Sequence, residues 1–273
     1  MRKFIPLILA LCLLLVGCGG ANMKALYDTN SLESVFKTHS SFTLTITLAD
    51  GTVSHRYYEP NMAYFYNDSK QTVYLSSGCY SHSDGKFYTE IFLKEDYSYH
   101  MLKERYTAPL IAQNAKVSRV MDTEKEQDTI TVTTKPSDAY TKLLYEEYGV
   151  KDGKFEVVYL LSAENKFLGE QLYLNGELFA DIAIEYDTAR PEMATDLHTR
   201  LTAPANECRT VKVTLDPHHT GQRSVIARTL KGDSFKLDPP EGYKSAFANH
   251  QCTIPYKSKG ADKDAEIYLV YGQ

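Results

Sequence analysis

Phe42-Thr43-Leu44-Thr45-Ile46-Thr47-Leu48 alternates apolar and hydroxyl side chains without a break. A period of two sets Phe42, Leu44, Ile46 and Leu48 on one face of a strand and the three threonines on the other. A helix would scatter the same residues around its axis, so the stretch decides for a β fold. Asp50-Gly51 directly after it is a hairpin signal.

Downstream the same grammar repeats. Residues 53–58 return antiparallel, Pro60-Asn61 breaks the run, and strands are predicted over 62–66, 72–75, 78–81 and 87–93, with Asp84-Gly85 turning the chain between the last two. Strands in series joined by short polar turns make a meander. Residues 94–114, dense in tyrosine and charge, read as loop with a helical turn, and 116–121 and 129–133 alternate again. Over 136–149 the period becomes helical: Ser137 or Asp138 caps the start, Tyr140, Leu143, Leu144 and Tyr148 form the stripe, and Gly149 stops it. Strands resume over 155–161, 168–174 and 177–186, with Asn175-Gly176 a type I′ signal between the last two. Upstream of Phe42, Asn30 is a candidate N-cap with Glu33 three residues on, and Leu32, Val35 and Phe36 share a face, which predicts a short helix ended by Ser40 and Ser41. Residues 191–204 show no useful period and read as a linker. The domain boundary is set near Ala203, ahead of a compact unit closing on Ile267-Tyr268-Leu269-Val270-Tyr271.

At the start, Arg2 and Lys3 precede an apolar run over 4–16, and Leu15-Val16-Gly17-Cys18 follows. The run is far short of the roughly 20 residues that span a bilayer. The four residues resemble the lipobox of bacterial lipoproteins. The resemblance implies a signal peptide over 1–17, a diacylglyceryl group on the Cys18 sulfur, a short tether over 18–23, and a chain held through that lipid on the extracytoplasmic face of the cell membrane.

The formal net charge is −5, and the segment ahead of Cys18 contributes only positive charge, so the mature chain is more acidic still. An acidic chain without a basic run argues against nucleic acid as a partner. Cys12 leaves with the signal. Cys79, Cys208 and Cys252 remain beyond Cys18, an odd number without C-x-x-C spacing. Cys208 and Cys252 could pair in an oxidising compartment.

The order of elements over residues 24–200 is a leading helix, a long meander and a second helix before the final strands. This arrangement is similar to the LolA-like lipoprotein-carrier superfamily. The similarity implies a curved antiparallel half-barrel sheet with two helices on its concave side and room for acyl chains or other apolar ligands. The inward face would be drawn from Phe42, Leu44, Ile46, Leu48, Tyr57, Tyr64, Tyr74, Leu172, Leu174, Ile182 and Ile184. The bland alternative is that these residues fill a core under the helices. After a linker over 201–207, residues 208–273 resemble the internalin B-repeat, a small β-grasp-like module. The matching residues are Val211-Lys212-Val213-Thr214-Leu215-Asp216, Lys231-Gly232-Asp233, Gly242-Tyr243, Cys252-Thr253, Pro255-Tyr256, Asp264 and Ile267-Tyr268. His218-His219 stands where that family carries a glycine pair. Its tryptophan is absent, which leaves Phe247 as the aromatic plug. The fold class expected is thus mainly β (α+β), a large sheet domain followed by a small one.

No catalytic, cofactor or metal residue is assigned. His218-His219 reads as a solvated turn, since zinc needs three or four convergent ligands. Asp262, Asp264 and Glu266 lack the loop spacing of an EF-hand. There is no Gly-x-Ser-x-Gly elbow and no His-Glu-x-x-His. The 21 tyrosines suit half-buried strand positions as well as sugar stacking. Three classes remain: a carrier or sensor of an apolar or envelope-derived ligand, a surface adhesion or scaffold protein with a filled core and a protein partner, and, weakest, an enzyme.

Overall fold

A computed structural model of the chain describes residues 30, 32–93, 116–122, 127–135, 138–162, 164–218, 222–257 and 262–271. The predicted lipobox, with Cys18, and the loop over 94–114 lie outside them. In chain order the elements begin with α1 (Leu32–Thr38), β1 (Phe42–Leu48), β2 (Val53–Glu59), β3 (Met62–Tyr66), β4 (Lys70–Leu75), β5 (Gly78–Ser83) and β6 (Lys86–Phe92). They continue with β7 (Lys116–Asp122), β8 (Gln127–Thr134), α2 (Asp138–Tyr148), β9 (Phe155–Ser162), β10 (Phe167–Leu174), β11 (Glu177–Tyr186) and α3 (Glu192–Leu201). The last are β12 (Cys208–Leu215), β13 (Arg223–Leu230), β14 (Ser234–Asp238), β15 (Tyr243–Phe247) and β16 (Ala265–Tyr271). The fold is mainly β, with open antiparallel sheets, few helices and a second small sheet, as the sequence predicts. The chain clusters into two units that interleave in sequence, one drawn from residues 1–37 and 105–183, the other from 38–104 and 184–273.

In the first unit β7, β8, β9, β10 and β11 pair antiparallel in sequence order. Asn175 and Gly176 both hold positive φ, 54° and 89°, as the type I′ turn between β10 and β11 demands. Phe155, Val157, Tyr159 and Leu161 of β9 are buried in alternation, with Leu172, Ala180 and Ile182 from the neighbouring strands. Leu144 of α2 is buried, Tyr145 lies 5.6 Å from the Phe155 ring, and the Tyr145 hydroxyl donates to the Gly153 carbonyl. Asn30 reaches the β9–β10 turn: its amide donates to the Asn165 carbonyl and its carbonyl oxygen accepts from the Phe167 N–H, both at 2.8 Å.

In the second unit β1 to β6 form the predicted meander, and β14 adds to β6 in parallel. Directly opposed residues share a face, so the registers define two. One row runs Phe42, Tyr58, Ala63, Tyr74, Cys79, Glu90; the other runs Tyr57, Tyr64, Val73, Tyr80, Thr89. The second face is covered by α3, whose Ala194 and Leu197 pack among Tyr57, Met62, Tyr64, Val73 and Tyr80. Each large apolar side chain buried there contributes on the order of 1.5–3 kcal/mol. This helix corrects the linker predicted over 191–204. Met193, Ala194, Leu197 and Leu201 do fall on one helical stripe behind Pro191, but threonines between them hide the period.

The small sheet runs in the order β13-β12-β16-β15, with β12 and β16 parallel. Its inner residues Val211, Val213, Leu215, Ile267 and Leu269 share one core with Ile91 and Leu93. Segment 208–273 therefore packs against the strand β6 and also lends β14 to it.

Candidate functional site

The Phe42 face of the second unit carries an aromatic ladder that crosses strands. Phe42 stacks on Tyr58 with ring centres 4.8 Å apart, Tyr58 meets Phe65 edge-on at 5.9 Å, and Phe65 meets Tyr74 at 5.2 Å. Phe42 and Tyr58 are buried, whereas Phe65 and Tyr74 are only half-buried. At that open end lies a cleft of about 220 Å³ lined by Ser54, Arg56, Phe65, Asn67, Lys70, Thr72 and Tyr74, with His55 and Tyr66 at its border. Arg56 and Phe65 are opposed across β2 and β3, and the guanidinium carbon stands 5.1 Å from the ring centre, a cation–π distance. Lys70 is ion-paired with Glu90 at 3.2 Å, and the Ser81 hydroxyl donates to the same carboxylate oxygen at 2.6 Å. Lys236 of β14 adds a third cation to this face, its ammonium 3.9 Å from the Tyr88 ring centre and donating to Ser83 Oγ at 2.9 Å. Three cations against one buried carboxylate give the region a positive balance on an acidic chain.

The residues expected to share one inward face do not all meet. Phe42, Leu44, Ile46, Leu48 and Tyr74 lie on the face just described. Tyr57 and Tyr64 lie on the opposite one, under α3. Leu172, Leu174 and Ile182 belong to the first unit, where Leu172 and Ile182 are buried and Leu174 is half-buried; Ile184 is half-buried in the second. Arg56, Phe65 and Lys70 were not singled out by the sequence. The residues 53–59 show no clean alternation, because β2 is covered on both faces and Tyr57 and Tyr58 are both buried.

Under α3 the polar groups are tied down. The Tyr57 hydroxyl donates to Glu59 at 2.5 Å, and Arg190 holds the same carboxylate with Nε at 2.8 Å and Nη2 at 2.5 Å. Burial, then the Glu59 carboxylate, pushes the Tyr57 phenol up to about 12. For Glu59 burial acts upward, but the Arg190 and Tyr57 hydrogen bonds outweigh it and leave the carboxyl below its ordinary value. Asp233 accepts from the Tyr80 hydroxyl at 2.5 Å and from Arg200 Nη1 at 2.7 Å, while Arg200 lies 3.5 Å over the Phe87 ring.

Cys79, Cys208 and Cys252 are all free thiols, so the pairing of Cys208 with Cys252 is not formed. Cys79 is buried on the Phe42 face, and burial, with Glu90 adding, raises its thiol well above the ordinary value; such a group is a poor nucleophile. His218 meets His250 with ring centres 5.2 Å apart, while His219 lies outside the described residues. Among the described residues no group of three His, Cys, Asp or Glu side chains could hold a metal, and no helix is long and apolar enough to cross a membrane.

No protein-family model and no curated protein matches the chain. Among solved structures, it is similar to the crystal structure of LprF from Mycobacterium bovis at 11% sequence identity and a TM-score of 0.41, over 62% of this chain and 94% of that one.

Proposed function

We propose that the chain is a lipid-anchored extracytoplasmic lipoprotein, non-enzymatic, whose large sheet binds or senses an apolar or envelope-derived molecule. The observation that supports it most is the aromatic ladder on the Phe42 face, which passes from buried Phe42 and Tyr58 to half-buried Phe65 and Tyr74 and ends in a cleft. Sites for small molecules are concave and mostly apolar, with a few placed polar groups. The lipobox-like Leu15-Val16-Gly17-Cys18 supplies the anchor in this reading, and the lipid on Cys18 is distinct from the bound molecule. Native mass spectrometry of the full chain, gently extracted from membranes, is expected to show a co-purified apolar species above the mass of the acylated protein. Its consistent absence, together with failure of added alkyl ligands to bind, would overturn the reading.

A second reading, a surface adhesion or scaffold protein with a filled core, is favoured by Ile226, which is 68% exposed on β13, an edge strand of the small sheet. In that case segment 208–273 acts as a B-repeat-like contact module. The strand order β13-β12-β16-β15, with first and last strands parallel at the centre, supports a β-grasp-like topology. Ile226→Asp would then abolish a protein contact and leave bound apolar material unchanged.

A further inference from the structure

The cleft on the Phe42 face differs from the ladder that leads to it. At about 220 Å³ it falls below the 300–1,000 Å³ of ordinary small-molecule sites, so it suits a compact group rather than a whole chain of methylenes. Its lining carries two cations, Arg56 and Lys70, and no carboxylate. Arg56 is held against Phe65, which fixes the guanidinium plane at the edge of the apolar surface. Its fork matches the paired oxygens of a phosphate or carboxylate, and Lys70 supplies a second, compact charge. Asn67 and Ser54 add neutral polar atoms around the same space. Glu90 holds Lys70 from outside the lining, and it leaves one positive charge in excess within the cleft.

We propose that this cleft is an oxyanion subsite that receives the anionic headgroup of an amphiphile, with the apolar part of the same molecule continuing along Phe65 and Tyr74. The proposal rests on the apolar-ligand reading above and sharpens it from any apolar molecule to one with a compact, negatively charged oxygen-rich head. Charge complementarity selects the head, and half-buried aromatic rings adjoining it receive the tail.

The test uses the full chain in phosphatidylcholine nanodiscs, titrated with hexyl phosphate, hexyl glucoside and inorganic phosphate while the ring signals of Phe65 and Tyr74 are followed by NMR. Hexyl phosphate is expected to bind at least about tenfold more tightly than hexyl glucoside, and Arg56→Gln and Lys70→Gln should each remove most of that advantage without altering the glucoside affinity. Raising the salt from 50 to 500 mM should shrink the same advantage. Equal affinity for the two hexyl compounds, unchanged in Arg56→Gln, would overturn the subsite and leave the apolar-ligand reading standing. Inorganic phosphate binding as tightly as hexyl phosphate would overturn the amphiphile as the source of the anion. Failure of both hexyl compounds to bind would overturn the apolar-ligand reading and this subsite with it. Matching thermal melts of the variants and the parent chain confirm that loss of binding is not loss of fold.

Discussion

Glu59 shows how much one carboxylate can hold. It accepts from Tyr57 and from both nitrogens that Arg190 offers, and its folded value lies below the ordinary 4.5. A depressed acid stabilises the fold fully above its unfolded value, and that stability is lost as pH falls through the lower folded one. Glu59→Gln should therefore cost about 1 kcal/mol near neutrality, a figure kept small because Arg190 is partly in water. It should also flatten the loss of stability below pH ~4.5, as read by urea unfolding across a pH series. Asp233 is more enclosed, and Asp233→Ala leaves the Tyr80 hydroxyl and the Arg200 guanidinium with fewer partners. A loss of about 3 kcal/mol is expected, and Tyr80→Phe should lose less, because it removes the donor and the need for it together. Such partnerships were not legible in the chain: Tyr80 and Asp233 are 153 residues apart. What was legible was the alternation of Phe42, Leu44 and Ile46, because β1 keeps one apolar side.

At the scale of elements, α3 holds its place through a narrow stripe. Leu197 is fully buried against the tyrosines of β2, β3 and β5, so Leu197→Ala should cost about 3 kcal/mol by opening a cavity, measurable as a lower urea midpoint with an unchanged slope. In the first unit Gly169 sits at a register shift between β9 and β10, and a Cβ there would stand 2.4 Å from the Ile182 carbonyl oxygen. That neighbour is backbone and cannot swing aside. Gly169→Ala should destabilise by about 2 kcal/mol or more and loosen amide exchange protection across β10 and β11. The meander was legible because hairpins are local and carry their own turn residues, such as Asn175-Gly176. The pairing of β14 with β6 was not, since nothing in Ser234-Phe235-Lys236-Leu237-Asp238 names a parallel partner far upstream. The cleft stayed hidden for the same reason: it appears only when register brings Arg56 beside Phe65 and Lys70 beside Glu90.

For the molecule as a whole, segment 208–273 shares Ile91 and Leu93 in its core. Expressed alone, it should lack a cooperative unfolding transition, and appending residues 38–93 with 184–207 should restore one. If the anchor is as proposed, Cys18→Ser should move the protein from the membrane to the soluble fraction, as read by immunoblotting of fractionated cells. The parallel contact of β14 on β6 also imposes a timetable on synthesis. Until the chain has been made through residue 238, the outer ladder of β6 stands open, and an open ladder is a template for a second nascent chain. Premature termination between β6 and β14 would thus yield fragments that clump, and the late strand works as a latch on aggregation during birth.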